Sequence, residues 1–155
     1  MASFFEVRLQ VDAPPEYVWR ALIDFASYGE WNPFIVKIDG EARIGSKIKL
    51  HLKLDPKLEA VKFSDEMIVS LKENQHLCYD SHFLSSSLFN STRWQAIKPT
   101  NNGLSSIYHS HQRLTGLSAW PFARIFGDRI AEGSEASCRA LKKRAEELYR
   151  AAKKG

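Results

Sequence analysis

Lys47-Ile48-Lys49-Leu50-His51-Leu52-Lys53-Leu54 alternates without a break. Ile48, Leu50, Leu52 and Leu54 fall on one side, and Lys47, Lys49, His51 and Lys53 fall on the other. A period of two is the mark of a strand with one face in a core and one in water. Asp55-Pro56 ends it. Upstream, Phe34, Val36 and Ile38 alternate in the same way, and Asp39-Gly40 and Ile44-Gly45-Ser46 read as turns. Downstream, Phe63 to Lys72, His76 to Leu84, Phe89 to Ile97 and Leu104 to Leu114 read as further strands. Their connections are Glu73-Asn74-Gln75, Ser85-Ser86-Ser87 and Pro99-Thr100-Asn101-Asn102-Gly103, all turn chemistry. Links this short favour antiparallel pairing.

Both ends of the chain differ from this middle. Phe5, Val7, Leu9 and Val11 alternate with Glu6, Arg8, Gln10 and Asp12, which predicts one more strand. Ala13-Pro14-Pro15 stops it, and proline suits the first turn of a helix because its missing N–H would be unpaired there. A helix is predicted over Pro15 to Asp24, presenting Val18, Trp19, Leu22 and Ile23. A second, short one is predicted over Phe25 to Trp31, ended by Asn32-Pro33, since the residue before proline avoids the α region. From Ala119 to Ala152 the apolar residues Ala123, Phe126, Ile130, Leu141, Ala145 and Leu148 keep to one helical stripe. Gly127 and Gly133 are expected to kink or loosen its first half. The order is strand, two short helices, six strands, one long helix. Without βαβ alternation this is an α+β fold, a curved antiparallel sheet wrapped around the C-terminal helix, and residues 1–155 form a single domain.

The bulk composition excludes several classes. Apolar residues make up 44% and charged residues 26% of the 155, which suits a globular core. With 22 basic against 18 acidic residues the charge is +4, and no dense basic cluster interleaved with aromatics points to nucleic acid. Cys78 and Cys138 lie in no metal-type spacing, so reduced thiols and no zinc are expected. No signal peptide and no apolar run of about 18 residues is visible, which gives a cytoplasmic location by default. Lys47, Lys49, Lys53, Lys57 and Lys62 predict a positive outer sheet face, and the end of the last helix is also basic. A solvated surface is the plain reading; weak peripheral contact with an anionic membrane is the second.

Few groups offer chemistry. His109 and His111 share a strand face, but on the side expected to meet water, as is His82. No Gly-rich phosphate loop, GxSxG or HExxH occurs. No cofactor or metal is expected. By parity Phe34, Met67, Tyr79, Trp94, Tyr108, Ser110 and Gln112 should point inward, apolar walls with a few hydrogen-bonding groups, as small-molecule pockets are lined. Trp31-Asn32-Pro33 should form a fixed turn at a cavity rim, with Trp19 or Trp31 close to a ligand. On the long helix Phe126, Ile130 and Leu141 flank small Ser134 and Ser137. Either the helix middle stands back there and leaves room for a ligand, or small residues let helix and sheet approach closely.

Ala13-Pro14-Pro15-Glu16-Tyr17-Val18-Trp19, with Leu22, Asp24, Phe25, Tyr28 and Trp31-Asn32-Pro33, resembles the opening pattern of the START-like (SRPBCC) superfamily, of polyketide cyclase/dehydrase and lipid-transport type. Gly40 with Gly45, Leu77-Cys78-Tyr79, Leu88-Phe89, Gln112-Arg113-Leu114-Thr115-Gly116 and Arg144-Ala145-Glu146 extend the resemblance over almost the whole chain. It implies a helix-grip fold with an internal cavity. Thr92 or Arg93 and Trp94 stand where many relatives carry His and Phe, and Gln112 where many carry Glu, so the resemblance implies a cavity and not a reaction. The function expected is binding or transport of a small hydrophobic ligand, by a monomer or homodimer. The alternative is a polyketide cyclase or hydrolase polarising a carbonyl with Tyr79, Tyr108 or Gln112.

Overall fold

The computed structural model describes residues 3–55, 57–82 and 87–155. Phe83 and Leu84, most of the Ser85-Ser86-Ser87 loop, the break at Pro56 and the side chain of His82 lie outside the described residues.

Seven strands follow the alternation read above: β1 (Ser3–Val11), β2 (Ile35–Asp39), β3 (Lys47–Leu52), β4 (Lys62–Lys72), β5 (His76–His82), β6 (Asn90–Thr100) and β7 (Ser105–Thr115). All neighbours are antiparallel, in the order β1-β7-β6-β5-β4-β3-β2. β2 to β7 form one meander. The link from β1 to β2 must therefore cross from one sheet edge to the other. It does so with α1 (Pro15–Ile23), a 3-10 turn and α2 (Tyr28–Trp31). α3 (Ala119–Lys154) runs unbroken along the concave side of the curled sheet, so Gly127 and Gly133 do not interrupt it. This is the helix-grip arrangement.

The core joins the inner sheet face to α1 and the C-terminal half of α3: Val11, Val18, Trp19, Leu22, Ile68, Leu77, Ile97, Tyr108, Cys138, Leu141 and Ala145 are all buried. Burial of this kind contributes roughly 1.5–3 kcal/mol per large apolar side chain. Asn32 locks the entry to β2. Its Oδ1 accepts hydrogen bonds from the backbone N–H of Phe34 (3.0 Å) and Ile35 (2.9 Å), and its Nδ2 donates to Ser137 Oγ at 2.8 Å. The Trp31-Asn32-Pro33 turn is thus tied directly to the middle of α3.

Candidate functional site

α3 does not meet the sheet evenly. Its middle packs hard: a Cβ on Gly133 would lie 2.3–2.8 Å from the ring of Phe34. Ser134 and Ser137 are buried there, with Ser137 held by Asn32. The N-terminal half of the helix stands off instead. Between it and the sheet lies a cavity of about 530 Å³. Phe122, Phe126 and Ile130 of α3 cover it, and Leu50 and Leu52 of β3, with Leu54, line one side. Leu88, Phe89 and Leu114 line the other, and Phe34 and Ile35 line the end nearest the packed helix middle. Phe89 and Phe126 both contact Phe122 edge-on or tilted, with ring centroids 5.1 and 5.0 Å apart.

The floor is polar. β5, β6 and β7 bring Tyr79, Arg93 and Gln112 into one register row on the inner face. Gln112 Nε2 donates to Ser91 Oγ at 3.0 Å. Arg93, 6% exposed, donates from Nε to Ser110 Oγ (3.2 Å) and from a terminal nitrogen towards Cys138 Sγ (3.9 Å). Glu66 of β4 faces the same space, is 7% exposed and accepts a hydrogen bond from Ser64 Oγ at 2.7 Å. Burial above all pushes its carboxyl up to about 8; the Ser64 bond opposes this, Asp80 adds to it, and Arg93 opposes it. Glu66 is therefore mostly a neutral acid at pH 7. Burial likewise raises the Tyr79 phenol, against the nearby Arg93 guanidinium. Arginine keeps its charge, so the floor carries one buried cation and neutral hydrogen-bonding groups.

Of the residues singled out from sequence, Phe34, Tyr79, Gln112, Phe126 and Ile130 meet around this cavity. Ser110 and Tyr108 face inward one layer below. Ser110 supports Arg93, and Tyr108 donates to Gln95 Oε1 at 2.6 Å. Trp19 and Leu141 are core residues, and Trp31 packs on Tyr28, so none of the three lines the space. Ser134 and Ser137 serve close approach, the other of the two readings left open for the helix middle.

Two orientations are corrected. Trp94 points outward, 38% exposed, stacked on His76 with ring centroids 4.5 Å apart. Met67 lines an open, charged depression on the wet face beside Lys47, Lys49 and Asp65. The reason differs in each case. In β6 the inward set is the one containing Ile97, which Arg93 shares and Trp94 does not. In β4 a bulge between Ile68 and Ser70 reverses the parity, so Leu71 and Met67 do not share a face although their spacing says they should. These same two slips hid Arg93 and Glu66. The position of Ile97 carries a signal for Arg93; the alternation of β4 carries none for its bulge. Lys62, placed with the outer lysines above, instead reaches the cavity rim.

Lys47 and Lys49 of β3 are exposed on the outer face. His109 bonds Glu6, and His111 stacks on Phe4. Both cysteines are free and buried, and burial first, then Asp80, pushes the Cys78 thiol up to about 11, far from the reactive range. Among the described residues no group of three His, Cys, Asp or Glu could hold a metal ion. Among the described residues no helix is long and apolar enough to cross a membrane.

The comparisons agree with this architecture. A family model described as polyketide cyclase / dehydrase and lipid transport matches residues 4–146. No curated protein matches the chain. Among solved structures, the Zhui aromatase/cyclase from Streptomyces sp. R1128 is similar at a TM-score of 0.79 and 16% identity, with 98% of each chain covered. A START superfamily protein from Mycobacterium smegmatis gives 0.71 and 19%, over 94% of this chain and 98% of that one. The di-domain aromatase/cyclase StfQ of the steffimycin pathway gives 0.75 and 20%, over 96% of this chain and 52% of that one. At such identities these likenesses speak for the fold.

Proposed function

The chain belongs to the polyketide cyclase/dehydrase and lipid-transport family, and from that premise we propose that it binds and carries a small hydrophobic molecule, of lipid, polyketide or isoprenoid type. The observation that carries this reading is the cavity of about 530 Å³ under the N-terminal half of α3, walled by Leu, Ile and Phe and floored by a few polar groups. Its size lies within the usual range for ligand sites of about 300–1,000 Å³. A closely packed protein keeps few voids larger than a water molecule, and a space of this size between α3 and the sheet supports the reading. The cytoplasm, and a monomer or homodimer, complete the reading; the basic face offers weak contact with an anionic membrane.

A second reading is favoured by Tyr79 and Arg93 facing the same cavity. Both could polarise a substrate carbonyl, as a cyclase or hydrolase acting on a polyketide-like substrate requires. Native mass spectrometry of freshly purified protein, followed by displacement of an apolar fluorescent probe, tests the leading reading. A co-purifying small molecule or saturable probe binding is the expected result. A bare protein that binds no apolar probe overturns it, and turnover of a polyketide-type substrate moves the assignment to the second.

A further inference from the structure

Arg93 is the buried cation among the described residues lining the cavity, and a purely apolar ligand does not explain its presence. Its neighbours Ser110, Tyr79, Tyr108 and Cys138 are all neutral hydrogen-bonding groups. No carboxylate comes within ion-pair distance of it among the described residues. Glu66, the acid among the described residues lining the space, is turned to Ser64 instead. A buried charge without a partner of opposite sign is strongly disfavoured, and truncating or neutral side chains would fill the same position at less cost. The guanidinium has five donors in a planar fork. Nε is used on Ser110, one terminal nitrogen makes a long contact to sulfur, and the guanidinium also hydrogen-bonds the Tyr79 phenol; five donors outnumber these three partners, and Arg93 lines the cavity.

We propose that the cavity takes an apolar molecule that ends in a single carboxylate, with the carboxylate on Arg93 at the floor and the apolar body under Phe122, Phe126 and Ile130. The inference rests on the cavity being a ligand site, and it names which class of ligand. A planar carboxylate matches the fork of an arginine in two parallel hydrogen bonds. A phosphate monoester fits less well, because it brings close to two negative charges and the floor offers one cation; Lys62 lies out at the rim. A neutral Glu66 adds a donor rather than a repelling charge, which is what a second oxygen of the ligand needs, and Gln112 adds an amide.

The test compares decanoate with decan-1-ol by isothermal titration calorimetry at pH 7, on the wild-type protein and on Arg93→Gln. The wild type should bind decanoate at least tenfold more tightly than the alcohol. Arg93→Gln should remove that preference by weakening decanoate, with the alcohol changed less than threefold. Equal affinities in the wild type, or a preference for decanoate that survives Arg93→Gln, overturn the carboxylate inference and leave the cavity reading standing. Failure of both probes to bind the wild type overturns the cavity reading, and this inference with it. The wild-type comparison needs no variant, so the outcome does not depend on Arg93→Gln folding.

Discussion

Glu66 shows how one side chain can carry the chemistry of a buried space into the stability of the whole chain. Its carboxyl is pushed from an ordinary 4.5 up to about 8. The native state therefore holds a proton that the unfolded chain releases between those values. Stability from this group is fully present below about 4.5 and is lost as the pH rises through about 8. At about 1.4 kcal/mol per pKa unit the loss is on the order of several kcal/mol. Glu66→Gln keeps the shape and the neutral hydrogen bonding but has no proton to lose. Urea titrations should find the two proteins similar at pH 4.5 and the variant more stable at pH 8.5; parallel pH profiles would contradict the buried-acid assignment. Asn32 is the second residue with reach beyond its size, joining the β2 entry to α3 through three hydrogen bonds. Asn32→Ala leaves buried donors at Phe34 and Ile35 without this acceptor, and should cost about 1–3 kcal/mol in chemical denaturation.

At the level of elements, α3 is two helices in function though one in backbone. Its C-terminal half is core, with Ala145, Leu141 and Cys138 fully buried, while its N-terminal half is a cavity wall. The periodicity announced the helix and its stripe, because Ala123, Phe126, Ile130, Leu141 and Leu148 repeat at helical spacing whatever they touch. It did not say where along the stripe the helix would leave the sheet. That depends on Gly133 admitting the Phe34 ring, a long-range fit that spacing along the chain cannot encode. The strands divide in the same way. β3 was legible because its apolar and basic residues alternate without exception. β6 was not, because a Trp in the outward row and an Arg in the inward row invert the usual preference, and in β4 the bulge moves the parity. Functional groups fell on these irregular strands, since a polar cavity floor is itself a departure from the pattern that builds a core. The helix halves should respond oppositely to added bulk. Ser137→Phe has no space to enter and should cost about 1–3 kcal/mol, a fall in Tm of roughly 2–4 °C for each kcal/mol in a chain of this size. A melting temperature unchanged by Ser137→Phe would mean that the helix middle is not close-packed.

The whole molecule is a compromise between a packed core at one end and a maintained space at the other. β1 and β7 join one sheet edge to α3, and α1 and α2 cross to the opposite edge at β2, so the end bearing Trp19 and Tyr108 is filled. The other end, between Leu50, Leu52, Phe122 and Ser91, holds the cavity. An occupant that binds only the folded state must stabilise that state. At a ligand concentration 100 times Kd the gain is about 2.7 kcal/mol, which predicts a rise in Tm of roughly 5–10 °C. The space can also be reduced from within. Leu52 is half-buried and its side chain lines the cavity, so Leu52→Trp places its added ring atoms in empty volume rather than against packed neighbours. Unlike Ser137→Phe, it should leave the Tm of the ligand-free protein within a few degrees of wild type. The same ring should then exclude part of the ligand and cut the ligand-induced rise by at least half. Differential scanning calorimetry of both variants, with and without a saturating apolar carboxylate, reads all four values. Should Leu52→Trp destabilise the empty protein as much as Ser137→Phe, the space beneath α3 is already filled by its own side chains in solution. A full ligand-induced rise in Leu52→Trp would instead place the binding site elsewhere on the molecule.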